Sequence, residues 1–459
     1  MTRRSPIIDR RPPGRLLAPG GLLVLVAACL VSFPVACDSR VPPRPNVVLI
    51  LLDDMGAECL SSYGGLSFTT PRIDALARGG LRFTSCFATP ACTPSRVQLL
   101  TGRYPFRTGW TDIFRPEKDE GLDPGKEITL ARLLRDSGYA TAVAGKWHLG
   151  DLSRNPDHPR ELGFQESCLW MGDTADGAPS RYFDPSILEN GRAREDVRGR
   201  YGPDVFNEFL VDFMGRHRDR PFFAYYAMVL PHAPFHVPPG LAGVTPEHSD
   251  LDRFGAMMLY ADALVGKIVD ALAELGLGDR TLVLVTADNG TPEGLETRLG
   301  NLKIPGGKRR LDHFGAWVPL IASGAGIDTG PGTAGDLVDF SDILPTVCEL
   351  AGVEIPRDRV IDGRSFAHAL RGESGPYREY VFVQQKKRCF LRTAGWALRN
   401  NGRIHDLERD AYLLEPRDPS PDDPERVVTA RAELQGMLDT LLGGLPLDPR
   451  GEDEAAGDE

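Results

Sequence analysis

The sequence predicts an α/β protein: a large, mixed but mostly parallel sheet sandwiched by helices, followed by a small antiparallel-sheet subdomain. Four continuous apolar runs are typical of strands buried on both faces: residues 46–52, 139–144, 221–230 and 281–287. Helical patterns lie between and around them at residues 70–78, 130–137 and 251–275. Beyond residue 375 the pattern changes to short strands separated by turns, which predicts the subdomain.

Further strands and helices are predicted in the last third of the chain. Residues 318–322 predict another strand, and a helix is expected from residue 339 to Gly352. The subdomain should contain strands at residues 379–384, 388–392, 396–399 and 404–407, and a helix over 430–442. A two-residue turn is expected at Asn401-Gly402. Residues 172–202 lack periodicity and are interpreted as an insertion that covers the candidate site described below.

Composition divides the chain into five parts. These are an export signal (1–37), a linker (38–45), a main α/β domain (46–374), a C-terminal subdomain (375–445) and an acidic tail (446–459). In the export signal, arginines precede an apolar run over residues 22–31. A membrane anchor is the alternative, but Pro34 follows too soon for a span of about 20 residues.

Export leaves open whether a lipid is attached. Two four-residue segments, one ending at Cys29 and one at Cys37, each resemble a bacterial lipoprotein cleavage site. We therefore expect a periplasmic, extracellular or lipid-anchored protein, with membrane contact only through that anchor.

Charge and cysteine content exclude several classes. A net charge of −11 argues against a nucleic-acid binder, and it means that any anion site needs its own local cations. The eight cysteines form no CxxC pair, which removes support for a zinc or iron–sulfur framework. Most are expected to be buried thiols. The glycosylation sequon at Asn289 is not expected to carry carbohydrate, because Asn289 is a candidate metal ligand.

Polar residues follow each of the four core strands. In chain order they are Asp53 and Asp54, Lys146 and His148, His232, and Asp288 and Asn289. Ligands bind at the carboxyl ends of strands in open α/β sheets, so we expect these side chains to share one edge. Adjacent carboxylates need a cation, and hard oxygen ligands suit Ca²⁺ or Mg²⁺. The alternative for Asp53 and Asp54 is an N-cap pair before a helix.

The stretch Pro90–Tyr104 predicts a short helix that presents a cysteine. Thr93 is a suitable N-cap, and Gly102 should end the helix. Cys92 would then lie just ahead of the helix N-terminus with Arg96 on the same face, which favours an acidic, reactive thiol. The alternative is a buried cysteine beside an arginine that binds a surface carboxylate.

Two motifs in this order resemble the signatures of the type I sulfatases. Cys92-Thr-Pro-Ser-Arg96 resembles the Cys-x-Pro-x-Arg signature, and Gly138–His148 is similar to the second one. The loop around Lys308 resembles the family's Gly-Lys-Gly segment, although Arg309, Arg310 and His313 depart from it. The resemblance implies an alkaline-phosphatase-like fold, and oxidation of Cys92 to formylglycine by a maturation enzyme.

The same resemblance assigns roles to the candidate residues. One divalent cation, Ca²⁺ with Mg²⁺ as the alternative, would be held by Asp53, Asp54, Asp288, Asn289 and an oxygen of the modified Cys92. The sulfate would be held by Lys146 and Lys308. Arg96 would position the formylglycine diol, His148 would contact its second hydroxyl, and His232 would protonate the leaving alcohol. A further polar residue of the site could be Asp173 or Thr174.

The resemblance implies a sulfuric ester hydrolase that acts on a sulfated small molecule or glycan. The expected export, with a possible lipid anchor, favours a carbohydrate over a steroid. Its diol would allow sulfate to leave without attack by water on an anionic ester. The rival interpretations are a phosphate or phosphonate ester hydrolase, a non-catalytic lipoprotein that binds sulfated glycan, and a cysteine–histidine acyl hydrolase. Arg309 and Arg310 could contact further anionic groups or form a solvated basic loop.

Overall fold

The computed structural model of the chain describes residues 44–174, 177, 179–375, 378–443 and 445. The predicted export signal, most of the linker and the acidic tail lie outside these residues. The predictions for Cys29 and Cys37 therefore lie outside them too.

A ten-stranded sheet forms the centre of the fold and carries the site at one edge. In the described part of the chain the strands are β1 (Asn46–Leu52), β2 (Leu81–Phe87), β3 (Ala140–Gly145), β4 (Glu166–Trp170), β5 (Ile187–Glu189), β6 (Arg192–Ala193), β7 (Phe222–Ala227), β8 (Thr281–Ala287), β9 (Thr297–Leu299), β10 (Leu302–Ile304), β11 (Trp317–Gly324), β12 (Gly332–Asp339), β13 (Val381–Gln385), β14 (Arg388–Arg392), β15 (Trp396–Arg399) and β16 (Ile404–Asp406).

The strand order confirms a mixed, mostly parallel sheet. It runs β12-β2-β11-β8-β1-β7-β3-β4-β5-β6. Relative to β1, strands β5 and β11 run antiparallel, and the other strands of this sheet run parallel. Every residue of β1, β3, β7 and β8 is buried, as expected for apolar strands covered on both faces.

Helices pack against this sheet in two groups. The helices of the described residues are α1 (Pro71–Gly79), α2 (Cys92–Thr101), α3 (Pro105–Thr108), α4 (Leu130–Asp136), α5 (His158–Glu161), α6 (Gly202–Arg216), α7 (Asp250–Glu274), α8 (His313–Ala316), α9 (Ile343–Ala351), α10 (Ala367–Arg371) and α11 (Glu425–Leu442). Helix α7 contacts α1 and α6, whereas α2, α4 and α9 contact one another. None of the described helices has an apolar stretch long enough to cross a bilayer.

The C-terminal subdomain contains a second sheet, of four antiparallel strands in the order β13-β14-β15-β16. Helix α11 packs on β15 and β16. The predicted two-residue turn at Asn401-Gly402 is wrong in length, because the Arg399 N–H donates to the Arg403 carbonyl at 2.9 Å across a three-residue loop. In that loop Gly402 has a φ of 82°.

The sequence missed several elements that the structure contains. Strand β2 carries polar residues, β12 has glycines and an aspartate, and β4 is short, so none shows a continuous apolar run. Helix α6 was also missed. The expectation of an irregular segment over residues 172–202 is wrong in part, since β5 and β6 extend the sheet there.

Candidate active site

The strand ends named by the sequence meet at one edge of the sheet. Strand β1 pairs in parallel with β7 and β8, with Leu52 opposite Ala287. Backbone bonds continue past the strands, because the Asp53 N–H donates to the Leu230 carbonyl at 2.9 Å and the Asp288 N–H donates to the Leu52 carbonyl at 3.0 Å. Parallel pairing therefore brings residues 53, 146, 232 and 288 together from distant parts of the chain.

Strand β2 delivers Cys92 to the same edge. It runs parallel to β1 and leads into α2, which begins at Cys92. The prediction that Thr93 is the N-cap is wrong, since the N-cap is Ala91. The Thr93 hydroxyl instead accepts the Phe114 N–H at 2.9 Å and lies 3.1 Å from His148 Nδ1. Gly102 ends the helix with a φ of 67°, as predicted.

The Cys92 thiol lies among carboxylates. Its Sγ is 3.6 Å from Asp53 Oδ1 and 3.8 Å from Asp54 Oδ1. Burial and the nearby Asp288 raise the pKa of the Cys92 thiol above its ordinary value, although Lys146 and Lys308 lower it. The expectation of an acidic thiol is therefore wrong for the unmodified cysteine, because Arg96 does not bind the sulfur but donates to Asp288.

Two buried ion pairs and one partly buried ion pair lie around this thiol. The shortest contacts are Lys146 Nζ–Asp53 Oδ2 at 2.8 Å, Lys308 Nζ–Asp54 Oδ2 at 2.6 Å and Arg96 Nη2–Asp288 Oδ2 at 2.7 Å. Although burial raises the pKa of Asp53, Lys146, His232 and Arg96 hold it well below its usual value. Burial and Asp53 raise the pKa of Asp288 to about 6 against the effect of Arg96. The six formal charges balance, so a further cation would add net positive charge at the site.

The residues present fit a cation with oxygen ligands. Asp53, Asp54, Cys92 and His232 each offer a ligand atom, and these atoms lie within 4.8 Å of one another. Asn289 is fully buried, and its Oδ1 accepts no hydrogen bond from the described residues while its Nδ2 donates to Asp54 Oδ1 at 2.9 Å. A buried carbonyl oxygen without a donor needs a partner, and a metal ion is one.

The two candidate histidines differ in their surroundings. His148 has a φ of 56°, and its Nε2 lies 3.9 Å from Asp173 Oδ2. Burial, then Lys146 and Arg96, lower the pKa of His148. His232 lies between two cations, with Nε2 3.3 Å from Lys308 Nζ and Nδ1 3.2 Å from Arg181 Nη1. Burial is the main reason that the pKa of His232 falls to about 3, although Asp54 raises it.

The departures from the family pattern lie around this centre. Arg309 is exposed, whereas Arg310 pairs with Asp312 at 2.6 Å. His313 is buried, with Nδ1 3.1 Å from Arg392 Nη1 and its ring packed on Trp317. The Thr174 hydroxyl donates to the Gly177 carbonyl at 2.9 Å, so Asp173 is the one of the two candidates that reaches towards His148.

Sequence reasoning missed Thr291 and Glu58, which join the loops of the site. The Thr291 hydroxyl accepts the Gly56 N–H at 3.2 Å and donates to Glu58 Oε1 at 2.5 Å. Its carbonyl accepts the N–H groups of Gly307 and Lys308 at 2.8 and 2.9 Å. Thr291 lies two residues after Asn289, and that proximity was the available signal.

The cysteines of the described residues are free and buried: Cys59, Cys86, Cys92, Cys168, Cys348 and Cys389. This agrees with the expectation of buried thiols in place of a disulfide framework. It leaves Cys92 as the one cysteine of the candidate metal cluster.

Comparison with known proteins decides the family. A family model described as Sulfatase matches residues 45–353. The chain belongs to the sulfatase family.

Two named sulfatases are similar to this chain over most of its length. Arylsulfatase A of Homo sapiens is 34% identical over 389 residues, which cover 80% of this chain and 73% of that protein. N-acetylgalactosamine-6-sulfatase of Canis lupus familiaris is 33% identical over 385 residues, covering 76% of this chain and 69% of that protein. These similarities make the chain a sulfatase enzyme, and membership implies a formylglycine and a divalent metal.

The fold of the sulfatase is also that of solved structures. A sulfatase from Pseudoalteromonas sp. superposes with a TM-score of 0.69 at 22% identity, and the match covers 87% of this chain and 90% of that one. This similarity supports the α/β architecture with its small antiparallel C-terminal sheet.

Proposed function

We propose that this sulfatase hydrolyses sulfate monoesters through a formylglycine made from Cys92 and one bound divalent cation, Ca²⁺, and releases inorganic sulfate and an alcohol. The observation that carries the proposal is the position of Cys92. Its sulfur lies at 3.6 and 3.8 Å from two strand-end carboxylates, inside a ring of buried cations. A nucleophile here would meet an anionic ester beside three fixed cations, and a bound divalent cation would give the charge-balanced site a net positive charge.

Two groups that are added to the chain would supply the reactive chemistry. The formylglycine supplies a nucleophilic oxygen, and the cation supplies electrostatic polarisation of the ester. The residues that would hold the cation are Asp53, Asp54, Asp288 and Asn289, together with position 92. The carboxylates supply the hard oxygen ligands that Ca²⁺ takes, and the unpartnered Asn289 Oδ1 supplies a neutral one.

The side chains of the site would bind and orient the ester. Lys146 and Lys308 would each donate to sulfate oxygens, exchanging part of their contact with Asp53 and Asp54 for the substrate. Arg96, held between Asp288 and the Lys146 carbonyl, would fix the orientation of residue 92. His148, held by Thr93, would contact the same residue.

His232 would protonate the leaving oxygen. In the free site its pKa is about 3, which keeps the imidazole neutral near pH 7. An anionic sulfate beside its Nε2 would favour the charged imidazolium and raise that pKa, so His232 would take up a proton from solvent when the substrate binds. The side chain of His232 is 22% exposed, which leaves its ring open to solvent and to an alcohol leaving group.

The substrate class that we propose is a sulfated carbohydrate. The relative named N-acetylgalactosamine-6-sulfatase supports it, as does the expectation of export. Export itself, to the periplasm or beyond and with or without a lipid anchor, remains our proposal from the arginine-led apolar segment at the start of the chain.

The test compares an aryl sulfate with the matching aryl phosphate, using chain produced together with a formylglycine-generating enzyme. We expect sulfate turnover to exceed phosphate turnover by orders of magnitude, and Cys92→Ala to abolish it. Peptide mass spectrometry should show that residue 92 has lost its sulfur. A strong preference for phosphate would overturn the proposal, and an unmodified Cys92 would favour a non-catalytic glycan-binding protein.

A further inference from the structure

Arg181 lies at the rim of the site, in the segment that the sequence predicts as an insertion. Its guanidinium carbon is 4.0 Å from the centre of the Trp170 ring, and its Nη1 is 3.2 Å from His232 Nδ1. The side chain is half-buried. It therefore lies beside Nδ1 of the His232 imidazole, and Lys308 Nζ lies 3.3 Å from Nε2 of the same ring.

The surrounding structure holds Arg181 in this position. The Trp170 indole N–H donates to the Pro179 carbonyl at 2.8 Å, and the Tyr182 hydroxyl donates to the Val229 carbonyl at 2.8 Å and to the His232 carbonyl. These bonds flank Arg181 on both sides in sequence and tie its segment to the loop that carries His232. A planar guanidinium stacked on an aromatic ring is preorganised, so little side-chain freedom is lost when it binds.

Arg181 differs in its contacts from the three cations that lie around Cys92. Lys146, Lys308 and Arg96 each contact a carboxylate at 2.8 Å or less. No carboxylate of the described residues lies within ion-pair distance of Arg181, and its Nη1 lies 3.2 Å from His232 Nδ1. A partly desolvated cation without a carboxylate partner attracts an anion.

We propose that Arg181 binds a second anionic oxygen group, a sulfate or a carboxylate, that the substrate carries next to the ester being cleaved. The inference rests on the proposed sulfate-ester hydrolysis and narrows its substrate to polyanionic carbohydrate. The Arg181 guanidinium donates to that group while Lys146 and Lys308 hold the reacting sulfate. In a protein with a net charge of −11, such a local cation is needed to retain a doubly charged substrate.

The test compares kcat/KM on N-acetylgalactosamine 6-sulfate, its 4,6-disulfate and a 6-sulfate linked to a uronic acid, using formylglycine-bearing enzyme. We expect Arg181→Ala to lose roughly 10- to 100-fold on the two doubly charged sugars, as removal of a charged hydrogen bond does. On the monosulfate the loss, which reports only the missing contact with His232, should be smaller by about tenfold or more. Arg181→Lys should recover part of the loss, because it restores the charge without the planar fork.

The matched control is Arg78→Ala. Arg78 is exposed in α1, just before β2 begins at the sheet edge opposite the site. This substitution removes the same charge and should leave kcat/KM unchanged on all three substrates. The monosulfate rate also reports whether Arg181→Ala has folded.

The two doubly charged sugars separate the sources of the anion. A loss on the disulfate alone assigns a sulfate, and a loss on the uronate-linked sugar alone assigns a carboxylate. Equal losses on all three substrates, or no loss on any, would overturn the inference. If the wild-type enzyme cleaves none of these sugars but turns over an aryl sulfate, the inference fails while sulfatase chemistry stands. If it cleaves no sulfate ester at all, the proposed function fails first.

Discussion

Cys92 shows how the surroundings of one residue override a rule about its position. A thiol at the start of a helix usually gains acidity from the free amides there, and Cys92 is the first residue of α2. Burial and the carboxylates of Asp288 and Asp53 act in the opposite direction and raise its pKa. The site is therefore unsuited to a free thiolate, which agrees with the proposal that position 92 works after conversion to an aldehyde.

Glu58 is the residue whose titration should be visible in stability. It is fully buried, its Oε2 has no partner among the described residues, and burial raises its pKa from 4.5 to about 7. The folded state therefore holds a proton that the unfolded state releases between pH 4.5 and 7. Stability contributed by Glu58 should fall as pH rises through this window and stay low above it.

We expect Glu58→Gln to remove this dependence. The variant should gain stability relative to wild type as pH rises from 5 to 8, by up to about 3 kcal/mol, since one pKa unit corresponds to about 1.4 kcal/mol. Urea unfolding at several pH values measures it. Glu349→Gln is the control, because Glu349 is largely exposed and its pKa is lowered, not raised. A stability difference that does not change between pH 5 and 8 would contradict the expectation.

At the scale of elements, the site depends on how strands end. Strand β3 ends at Gly145, which has a φ of 106°, and is followed at once by Lys146. A Cβ at position 145 would lie 1.9 Å from the Ala227 carbonyl oxygen of β7. The glycine thus permits the close approach of two backbones that places the Lys146 ammonium on Asp53.

Gly145→Ala should therefore both destabilise the fold and reduce activity. We expect a loss of at least about 3 kcal/mol in the free energy of unfolding, because the clash is with backbone that cannot move aside. The kcat should fall with it, as Lys146 is displaced. Gly276→Ala is the matched control, since Gly276 has a φ of 66° with open space around it and should cost only about 1 kcal/mol. Equal losses in denaturant titrations of the two variants would argue against this account.

At the scale of the whole molecule, Arg378 connects the C-terminal sheet to the main sheet. It precedes β13 and is buried, and its Nε donates to Asp342 Oδ2 at 2.9 Å. Its Nη1 donates to the Tyr104 hydroxyl at 2.8 Å, beyond the end of α2. Elements that follow Cys92 are thereby tied to the subdomain.

Replacing Arg378 should cost far more than replacing an exposed arginine. We expect Arg378→Ala to lower the free energy of unfolding by about 3–5 kcal/mol, because it leaves the Asp342 carboxylate buried without its partner. Arg371→Ala is the control: its pair with Glu349 is 2.7 Å long but partly exposed, and should be worth less than about 1 kcal/mol. Thermal and urea unfolding measure both, and comparable effects would refute a linking role for Arg378.

A divalent cation should stabilise the whole molecule, because its proposed ligands come from β1, β8 and the start of α2. We expect Ca²⁺ to raise the unfolding temperature and a chelator to reverse the effect, with a gain of about 2.7 kcal/mol at a cation concentration 100 times Kd. Asn289→Ala should shrink the gain, since it removes the unpartnered Oδ1. Calorimetry with and without Ca²⁺ is the measurement. An unchanged unfolding temperature would speak against the cation site.

Much of the fold could be predicted because its core strands are continuous apolar runs. Strands β1 and β8 were predicted with both bounds correct, and the residues that follow them are in contact, since the Asp54 N–H donates to Asp288 Oδ1 and Asn289 Nδ2 donates to Asp54 Oδ1. Strands β2 and β12 were missed, because mixed polar and apolar residues carry no clear period. Yet β2 is the strand that carries the chain to Cys92.

The sequence by itself determined the family, the buried strands and the chemical types of the side chains at their ends, since these depend on local residue order. Only the tertiary structure decided which cation pairs with which carboxylate: Arg96 with Asp288, Lys146 with Asp53 and Lys308 with Asp54. It also decided that Arg181 and Thr291 belong at the site. These contacts join residues far apart in the chain, and the packing that brings them together leaves no periodic or spacing signal in the sequence.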